Sequence, residues 1–206
     1  MKTLIAGIIA MAAIVVASNI LVQHTFGSYL TYGAFTYPLS FLVNDIINRL
    51  AGVKAARRVV LAGFVVGLVC SFIGTQLHNE YGPLVTLRVA LGSGTAFLVG
   101  QLLDVTIFDR LRRAEWWRAP LVSTLIGSTI DSVIFFTIAF AASLTFLEPS
   151  SDRSWAAVSG PLLGSGPMVP LWVSLALADW GVKFGIAVFG LLPFRLIIAK
   201  FSIRVA

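Results

Sequence analysis

PLVSTLIGSTIDSVIFFTIAFAASLTFL, residues 120–147, is the stretch that decides the fold. Apart from small polar residues and one aspartate near its middle it is apolar, and it is longer than the roughly 20 residues that a helix needs to cross a bilayer. Its apolar residues are continuous and do not alternate with polar ones, as they would in a transmembrane β-strand. The stretch therefore predicts a membrane-spanning helix.

Five further segments have the same character, and the composition of the whole chain agrees. Hydrophobic residues make up 58% of the sequence and charged residues 12%, against about 25% charged residues in soluble domains. The other candidate spans are approximately residues 4–22, 29–47, 59–77, 84–103 and 168–198. We predict an all-α membrane protein, a bundle of about six transmembrane helices that forms a single transmembrane helical domain over residues 1–206.

The second segment, residues 29–47, is the weakest of the six. Gly33, Pro38 and several hydroxyl side chains interrupt it. Because proline lacks the amide hydrogen that a helix interior requires, we expect a broken or partly re-entrant helix, which is tolerated only where protein or water covers the freed backbone. The sequence alone leaves open whether this segment crosses the membrane.

Lysine and arginine residues flank the predicted spans asymmetrically. They concentrate at the N-terminus, in the loops after the second and fourth spans, and in the tail with Arg195, Lys200 and Arg204, whereas the loops on the other side contain Arg153. Since cytoplasmic loops carry the excess of positive charge, both termini are predicted to be cytoplasmic. The pI near 10 is then an orientation signal, and no nucleic-acid partner is expected.

Four ionisable residues lie within the apolar segments: Arg88, Asp131, Asp179 and Lys183. An ionised group at bilayer depth costs at least about 2.5–3.5 kcal/mol, so such residues commonly line a ligand or ion pathway. Asp179 and Lys183 are four residues apart on one helix face and can pair, whereas Asp131 is expected to be the free carboxylate. The formal charges cancel, which suits a neutral polar solute. The alternative is that these residues only form buried ion pairs within the bundle.

Asp131 is expected close to the middle of the membrane. It lies about eleven residues after Pro120, and a helix rises 1.5 Å per residue. Thr124, Ser128 and Asp131 follow the i, i+4, i+7 spacing of one helix face. We predict that this polar stripe faces the interior of the bundle.

Amide side chains and two further aspartates complete the set of polar candidates. Asn19, Asn44 and Gln101 can each donate and accept hydrogen bonds, although such residues often only join helices to one another. Asp45 and Asp104 lie at predicted cytoplasmic span ends, where they could be entrance or gating residues or could simply reach water. Phe35, Tyr37, Phe41 and Trp180 are candidate stacking faces, with packing as the alternative.

No sequence motif indicates an enzyme. The chain has no P-loop, nucleophile elbow, H-E-x-x-H or dinucleotide fingerprint. Cys70 is the only cysteine, and His24 and His78 have no neighbouring ligands at metal-binding spacing. We therefore expect no catalytic residue, no metal site and no cofactor.

Five strings carry a family resemblance: SNILVQ (18–23), YGAFTYPLSFLVNDI (32–46), GQLLDVTIFDRLRR (100–113), WWRAPLVSTLIGSTID (116–131) and ALADWGVKF (176–184). In this order they resemble the bacterial queuosine precursor transporters, a family of the vitamin uptake transporter class. The resemblance implies a multi-pass protein of the bacterial cytoplasmic (inner) membrane. It also implies uptake of deazaguanine bases, cyano- or aminomethyl-substituted, that are used to make queuosine in tRNA.

Such a base has an N–H and an amino group side by side, and one carboxylate can accept from both. Asp131 is our first choice for that role and Asp179 the second, since Lys183 can already occupy Asp179. An amide would contact the carbonyl and ring edge, and Arg88 or Lys183 would donate to an acceptor. The predicted substrate-binding residues are Asp131, Asp179, Lys183, Gln101, Arg88, Asn19, Asn44 and Asp45.

Three mechanisms remain open. The protein could be a self-sufficient secondary transporter with alternating access, the substrate-binding subunit of an energy-coupling transporter that needs separate energising subunits, or a structural membrane protein. Small-xxx-small spacings such as Ala6/Ala10 and Gly63/Gly67 suit either helix docking or a homodimer. The loop at residues 148–167 is expected to be a connector, with a lid over the pocket as the alternative.

Overall fold

The computed structural model describes residues 1–80 and 82–202, so Arg204 of the basic tail lies outside the described residues. The helices are α1 (Lys2–Leu21), α2 (Gly33–Thr36), α3 (Leu39–Ala51), α4 (Val53–Gln76), α5 (Leu87–Leu111), α6 (Arg118–Phe140), α7 (Ser154–Ala157) and α8 (Leu171–Ser202). Short 3₁₀ segments span Ala142–Leu147 and Leu162–Gly164. The antiparallel strand pairs are β1 (Thr25–Phe26) with β2 (Leu30–Thr31), β3 (His78–Asn79) with β4 (Gly82–Pro83), and β5 (Ser159–Pro161) with β6 (Met168–Pro170).

Five of the helices, α1, α4, α5, α6 and α8, are long and apolar enough to cross a membrane. They correspond to five of the six predicted spans, and the prediction of an all-α membrane bundle is confirmed. The three strand pairs all lie in loops and add no sheet to the core. We call the end of the bundle that carries them the hairpin end, and the opposite end, with the turns near Gly52 and Ala114, the turn end.

The remaining predicted span, residues 29–47, differs from a continuous helix. It consists of α2 and α3, which are separated at Tyr37 and Pro38. The interruption expected from Pro38 is therefore present, because this residue has no amide hydrogen to continue the ladder. Gly33 lets α2 approach α1 closely, since a Cβ atom at this position would lie 2.9 Å from the backbone nitrogen of Val22.

Helices α5 and α6 are antiparallel neighbours that touch through two glycines. A Cβ atom on Gly127 would lie 2.8 Å from the carbonyl oxygen of Gly100, and one on Gly100 would lie 2.9 Å from Cβ of Asp131. Small residues permit this close backbone approach between membrane helices. The contact holds Asp131 against α5 in the interior of the bundle.

Apolar side chains pack the remaining interfaces. Met11, Val59 and Val60 are fully buried in a cluster between α1 and α4. At the turn end, Phe108 of α5 and Phe194 of α8 are buried against each other with ring centroids 6.1 Å apart. Between these clusters and the hairpin end, the bundle encloses the polar residues described next.

Candidate functional site

A cavity of about 540 Å³ extends from the hairpin end into the bundle. The β1–β2 hairpin, Leu84 and Val85 after β4, and Trp155 of α7 contribute to its wall, together with α1, α2, α4, α5, α6 and α8. Four of the eight predicted substrate-binding residues line it: Asn19, Asp131, Asp179 and Lys183. A cavity of this size is in the range of small-molecule sites in proteins.

The floor of the cavity is an ion cluster. Lys183 Nζ donates to Asp131 Oδ2 at 2.6 Å and to Asp179 Oδ2 at 2.7 Å, and it also donates to Ser132 Oγ at 2.8 Å. The pairing predicted for Asp179 and Lys183 is present. The expectation that Asp131 is a free carboxylate is wrong, because α6 and α8 pack side by side and one ammonium group, with three donors, reaches both carboxylates.

The two carboxylates differ in their access to the cavity. Asp131 is 3% exposed, and its second oxygen accepts a hydrogen bond from the hydroxyl of Tyr37 at 2.7 Å. Asp179 is 17% exposed. Its Oδ2 accepts from Lys183 and from Ser132 Oγ, whereas its Oδ1 accepts no hydrogen bond from the described residues. Asp179 therefore offers the open carboxylate oxygen, and this reverses the order expected from the sequence.

Tyr37 has a role that its sequence position did not indicate. It lies at the break between α2 and α3. From the sequence, its ring is only a candidate stacking face. In the structure its hydroxyl binds Asp131, and its ring lies 5.3 Å from Lys183 Nζ. The signal that could have identified it is the adjacent proline, because a broken helix at membrane depth often turns a side chain toward a cavity.

Arg88 lies away from this floor. Its guanidinium donates to the carbonyl oxygens of Ile138 at 2.8 Å and Ala141 at 2.7 Å, and the side chain is buried. It thus satisfies backbone acceptors at the end of α6, where helical carbonyls have no partner of their own. Without Arg88 the floor contains two carboxylates and one ammonium group, so the zero charge balance expected from the sequence does not describe the site.

Asn44, Asp45 and Gln101 lie deeper, outside the cavity wall. Asn44 Nδ2 donates to Asp104 Oδ2 at 3.1 Å, and Gln101 Nε2 donates to Ser40 Oγ at 2.7 Å. We call this group the inner cluster; its members are Ser40, Asn44, Asp45, Gln101, Asp104, Ser123 and Thr124, all buried. Asp104, which was not among the predicted substrate-binding residues, belongs to it.

The polar stripe predicted on α6 connects the two groups. Thr124, Ser128 and Asp131 are all buried, as expected. Thr124 belongs to the inner cluster and Asp131 to the cavity floor. The two positions are seven residues apart, which corresponds to about 10 Å along the helix axis at 1.5 Å per residue.

The loop at residues 148–167 takes part in the cavity wall through Trp155, whose ring packs on Phe140 with centroids 5.6 Å apart. Arg153 ties this loop to the bundle by an ion pair with Glu148 at 3.5 Å and a hydrogen bond to Thr86. Burial lowers the pKa of Arg153, and the nearby Glu148 carboxylate opposes that shift. The loop is therefore anchored beside the cavity mouth.

The sequence matches a family model described as "Putative vitamin uptake transporter" over residues 31–198. The chain belongs to this family. It is 32% identical over 194 residues to the "Queuosine precursor transporter" of Escherichia coli (strain K12), an alignment that covers 87% of this chain and 79% of the relative. Membership confirms the predicted class of transporter and, with the long apolar helices, a multi-pass membrane protein.

Two further relatives show similar identities to this chain. The "Probable queuosine precursor transporter" of Haemophilus influenzae is 34% identical over 142 residues, which are 64% of this chain and 59% of the relative. The protein of the same name in Bacillus subtilis (strain 168) is 31% identical over 148 residues, 61% of this chain and 64% of the relative. No solved structure shows a significant match to the chain.

For a transporter, the arrangement has a clear chemical capacity. Helix α2 and Tyr37, at the break before α3, line the cavity beside α6 and α8, and discontinuous helices commonly form substrate sites in secondary transporters. The floor offers carboxylate acceptors, an ammonium donor and an aromatic ring within one small volume. It can bind a polar molecule that has adjacent hydrogen-bond donors.

Proposed function

We propose that this vitamin uptake transporter imports a queuosine precursor, a deazaguanine base with a cyano or aminomethyl group, across the bacterial cytoplasmic membrane. The observation that carries the proposal is the carboxylate-bearing floor of the cavity in a chain whose relatives are named queuosine precursor transporters. The excess of lysine and arginine near the turn end favours a cytoplasmic turn end. The hairpin end is then the side from which substrate enters.

Asp179 makes the first contact in this proposal. Its open oxygen and 17% exposure suit the adjacent N–H and amino groups of a deazaguanine, which a carboxylate binds in a bidentate arrangement. Asp131 holds Lys183 and Tyr37 in place and joins the contact when the ammonium group moves. Asn19, on the cavity wall, is placed to bind the ring edge.

The floor also gives a preference between the two bases. Two carboxylates and one ammonium group leave a formal charge of −1 at the cavity floor. An aminomethyl substituent is a cation at neutral pH, whereas a cyano group is neutral. Complementary charge lowers the cost of desolvating the site, so the aminomethyl base is expected to bind more tightly.

The decisive experiment uses cells that cannot make the precursor and lack their own importer. Such cells, supplied with the base and with this gene, are expected to contain queuosine in tRNA. Asp179→Asn is expected to abolish the modification, whereas Asp152→Asn, a change of an exposed loop carboxylate, is expected to leave it intact. If the wild-type gene restores no queuosine although the protein is present in the membrane, the proposed substrate is wrong.

Purified protein in liposomes separates a self-sufficient carrier from a subunit of an energy-coupling transporter. We propose the carrier, because the cavity is lined at the break between α2 and α3, and broken helices of this kind form the substrate sites of secondary transporters. Uptake of radiolabelled base without ATP or other proteins is the expected result. Binding of the base without any uptake would assign the chain to the subunit class.

A further inference from the structure

The inner cluster contains two buried carboxylates that the cavity does not use. Asp45 is 2% exposed and Asp104 is 0% exposed. Neither forms an ion pair with a described residue. An ionised carboxylate taken out of water without a cationic partner costs several kcal/mol, and a group in that position commonly takes up a proton instead.

The two carboxylates share one hydroxyl group. Thr124 Oγ1 lies 3.0 Å from Asp45 Oδ2 and 3.5 Å from Asp104 Oδ1. A hydroxyl has a single hydrogen, so Thr124 donates to one of these oxygens at a time. Two buried carboxylates that contact the same hydroxyl group repel each other when both are ionised, which favours the uptake of a proton by the pair.

Other groups in the inner cluster also lack donors. Asn44 uses its Nδ2 to bind Asp104 and the Gln101 carbonyl oxygen, which leaves its Oδ1 buried and without a partner among the described residues. The side-chain oxygen of Gln101 is buried and unpartnered in the same way. Hydrogen-bond acceptors therefore outnumber donors in the inner cluster. A proton on a carboxylate, or a protonated water, would supply the missing donor.

A small void next to Asp45 has room for such a water. Its volume is about 10 Å³, and Asp45 and Thr124 provide its polar atoms. This is close to the smallest volume that holds one water molecule. The polar side chains of the void are those of Asp45 and Thr124, which supply far fewer oxygen atoms than the six or more that hard cations such as Mg²⁺ and Ca²⁺ take, so the chemistry of the site favours a proton over a metal cation.

The charged groups around the pair leave it without a close cation. Arg49, one turn further along α3, acts on Asp45 through its charge, but its guanidinium donates to the carbonyl oxygen of Arg112 at 2.8 Å. Arg112 in turn binds Asn48. Helix α6 contributes only hydroxyl groups to the pair, and the part of α8 that faces the void is apolar. Lysine and arginine side chains in the first turns of α4 are exposed and face away.

We propose that Asp45 and Asp104 share one proton and form the proton-coupling site of the transporter, separate from the substrate cavity. The role in coupling rests on the proposed transport function. One hydronium gives its proton to the carboxylate pair and leaves as water, and the pair later returns the proton to water on the other side. Thr124 and Asp131 lie on the same helix, and Gly127 of that helix touches Gly100 of α5. A shift of α6 against α5 therefore moves both sites together.

Infrared spectroscopy tests the shared proton without any substrate. Purified protein with ¹³C-labelled aspartate is expected to show a protonated-carboxyl band at pH 7 that Asp45→Asn or Asp104→Asn shifts and that the double variant lacks. Asp152→Asn is the matched control and should retain the band. A wild-type protein without the band, or a band that survives in the double variant, overturns the proposal. Should a variant fail to fold, the wild-type spectrum alone still decides whether a buried carboxyl is protonated.

Transport in liposomes tests the coupling. An inward proton gradient is expected to drive accumulation of labelled base by the wild type. Asp45→Asn should still bind the base and exchange it across the membrane, but its accumulation should fall to the level reached without a gradient. Full accumulation by Asp45→Asn, or a sodium gradient that replaces the proton gradient, overturns the proposal. If the wild type transports no deazaguanine, the proposed function is wrong. The infrared experiment then still tests, independently of any substrate, whether the carboxylate pair is protonated.

Discussion

The cavity floor and the inner cluster use the same residue type in different ways. In the floor, Asp131 and Asp179 are bridged by Lys183 at 2.6 and 2.7 Å. In the inner cluster, the hydrogen-bond partners of Asp45 and Asp104 among the described residues are neutral, Thr124 being one of them. A buried carboxylate with an ammonium partner stays ionised, whereas one beside a second carboxylate holds a proton. Whether a buried aspartate is ionised or protonated therefore depends on the residues around it.

Lys183→Met gives the largest expected effect, because it makes the cavity floor resemble the inner cluster. Removing one partner of a buried ion pair costs about 3–5 kcal/mol, so the melting temperature and substrate binding should both fall sharply at pH 7. Thermal unfolding in detergent and a binding assay with the labelled base, both at pH 7, measure the two effects.

The control for that change neutralises the stranded carboxylates. A variant with Lys183→Met, Asp131→Asn and Asp179→Asn should regain most of the thermal stability while it still fails to bind substrate. If Lys183→Met alone unfolds at the wild-type temperature, the ion cluster does not stabilise the bundle, and the contrast between the two regions is wrong.

Gly127→Ala tests the helix contact that lies between the two regions. A Cβ atom there would meet the backbone oxygen of Gly100 at 2.8 Å, so α5 and α6 must separate. Such overpacking typically costs about 1–3 kcal/mol, and both substrate binding and the proton-driven step should weaken. Gly181→Ala is the matched control, since nothing lies within 4 Å of its added methyl group. Equal melting temperatures for the two variants would contradict the close contact.

Tyr37→Phe changes the cavity floor and leaves the inner cluster intact. It removes the hydroxyl that donates to Asp131 at 2.7 Å, and a hydrogen bond to a charged group contributes about 1.5–3 kcal/mol. Substrate affinity should fall by about tenfold or more, while the infrared band of the inner cluster stays. Tyr32→Phe, which changes an exposed ring beside Phe26, is the control. Loss of the infrared band in Tyr37→Phe would show that the two regions are one network.

Arg153→Ala has the smallest expected effect, because it acts at the cavity mouth, far from both regions. It removes the ion pair with Glu148, and such pairs near the surface contribute about 1 kcal/mol or less. The rate of substrate binding should change by a few fold with the infrared band unaffected, as stopped-flow fluorescence of Trp155 would show. Asp152→Ala in the same loop is the control. A complete loss of transport would give this loop a gating role.

Features that lie within a single helix could be predicted from the sequence. Of the six apolar runs taken as spans, five form long helices, and Pro38 predicted the interruption of the second. The i, i+4, i+7 spacing predicted the buried stripe at Thr124, Ser128 and Asp131. Asp179 and Lys183 pair as their spacing indicates. All of these are local properties of one helix, and helical periodicity alone determines them.

Contacts between helices could not be predicted in this way. Nothing along the chain indicated that Lys183 also reaches Asp131, that Tyr37 binds the same carboxylate, or that Arg88 caps the end of α6. Each depends on which helices are neighbours and how they are rotated, and these follow from close packing at positions such as Gly100 and Gly127.

The sequence by itself determined that this protein is a helical membrane protein with ionisable groups at membrane depth, because hydrophobic length and helical spacing are local quantities. Only the tertiary structure decided which partner each carboxylate has. It placed Asp131 and Asp179 on one ammonium group and left Asp45 and Asp104 to each other. The physical reason is that charge pairing in a low-dielectric interior depends on distances of a few ångströms between helices far apart in the chain.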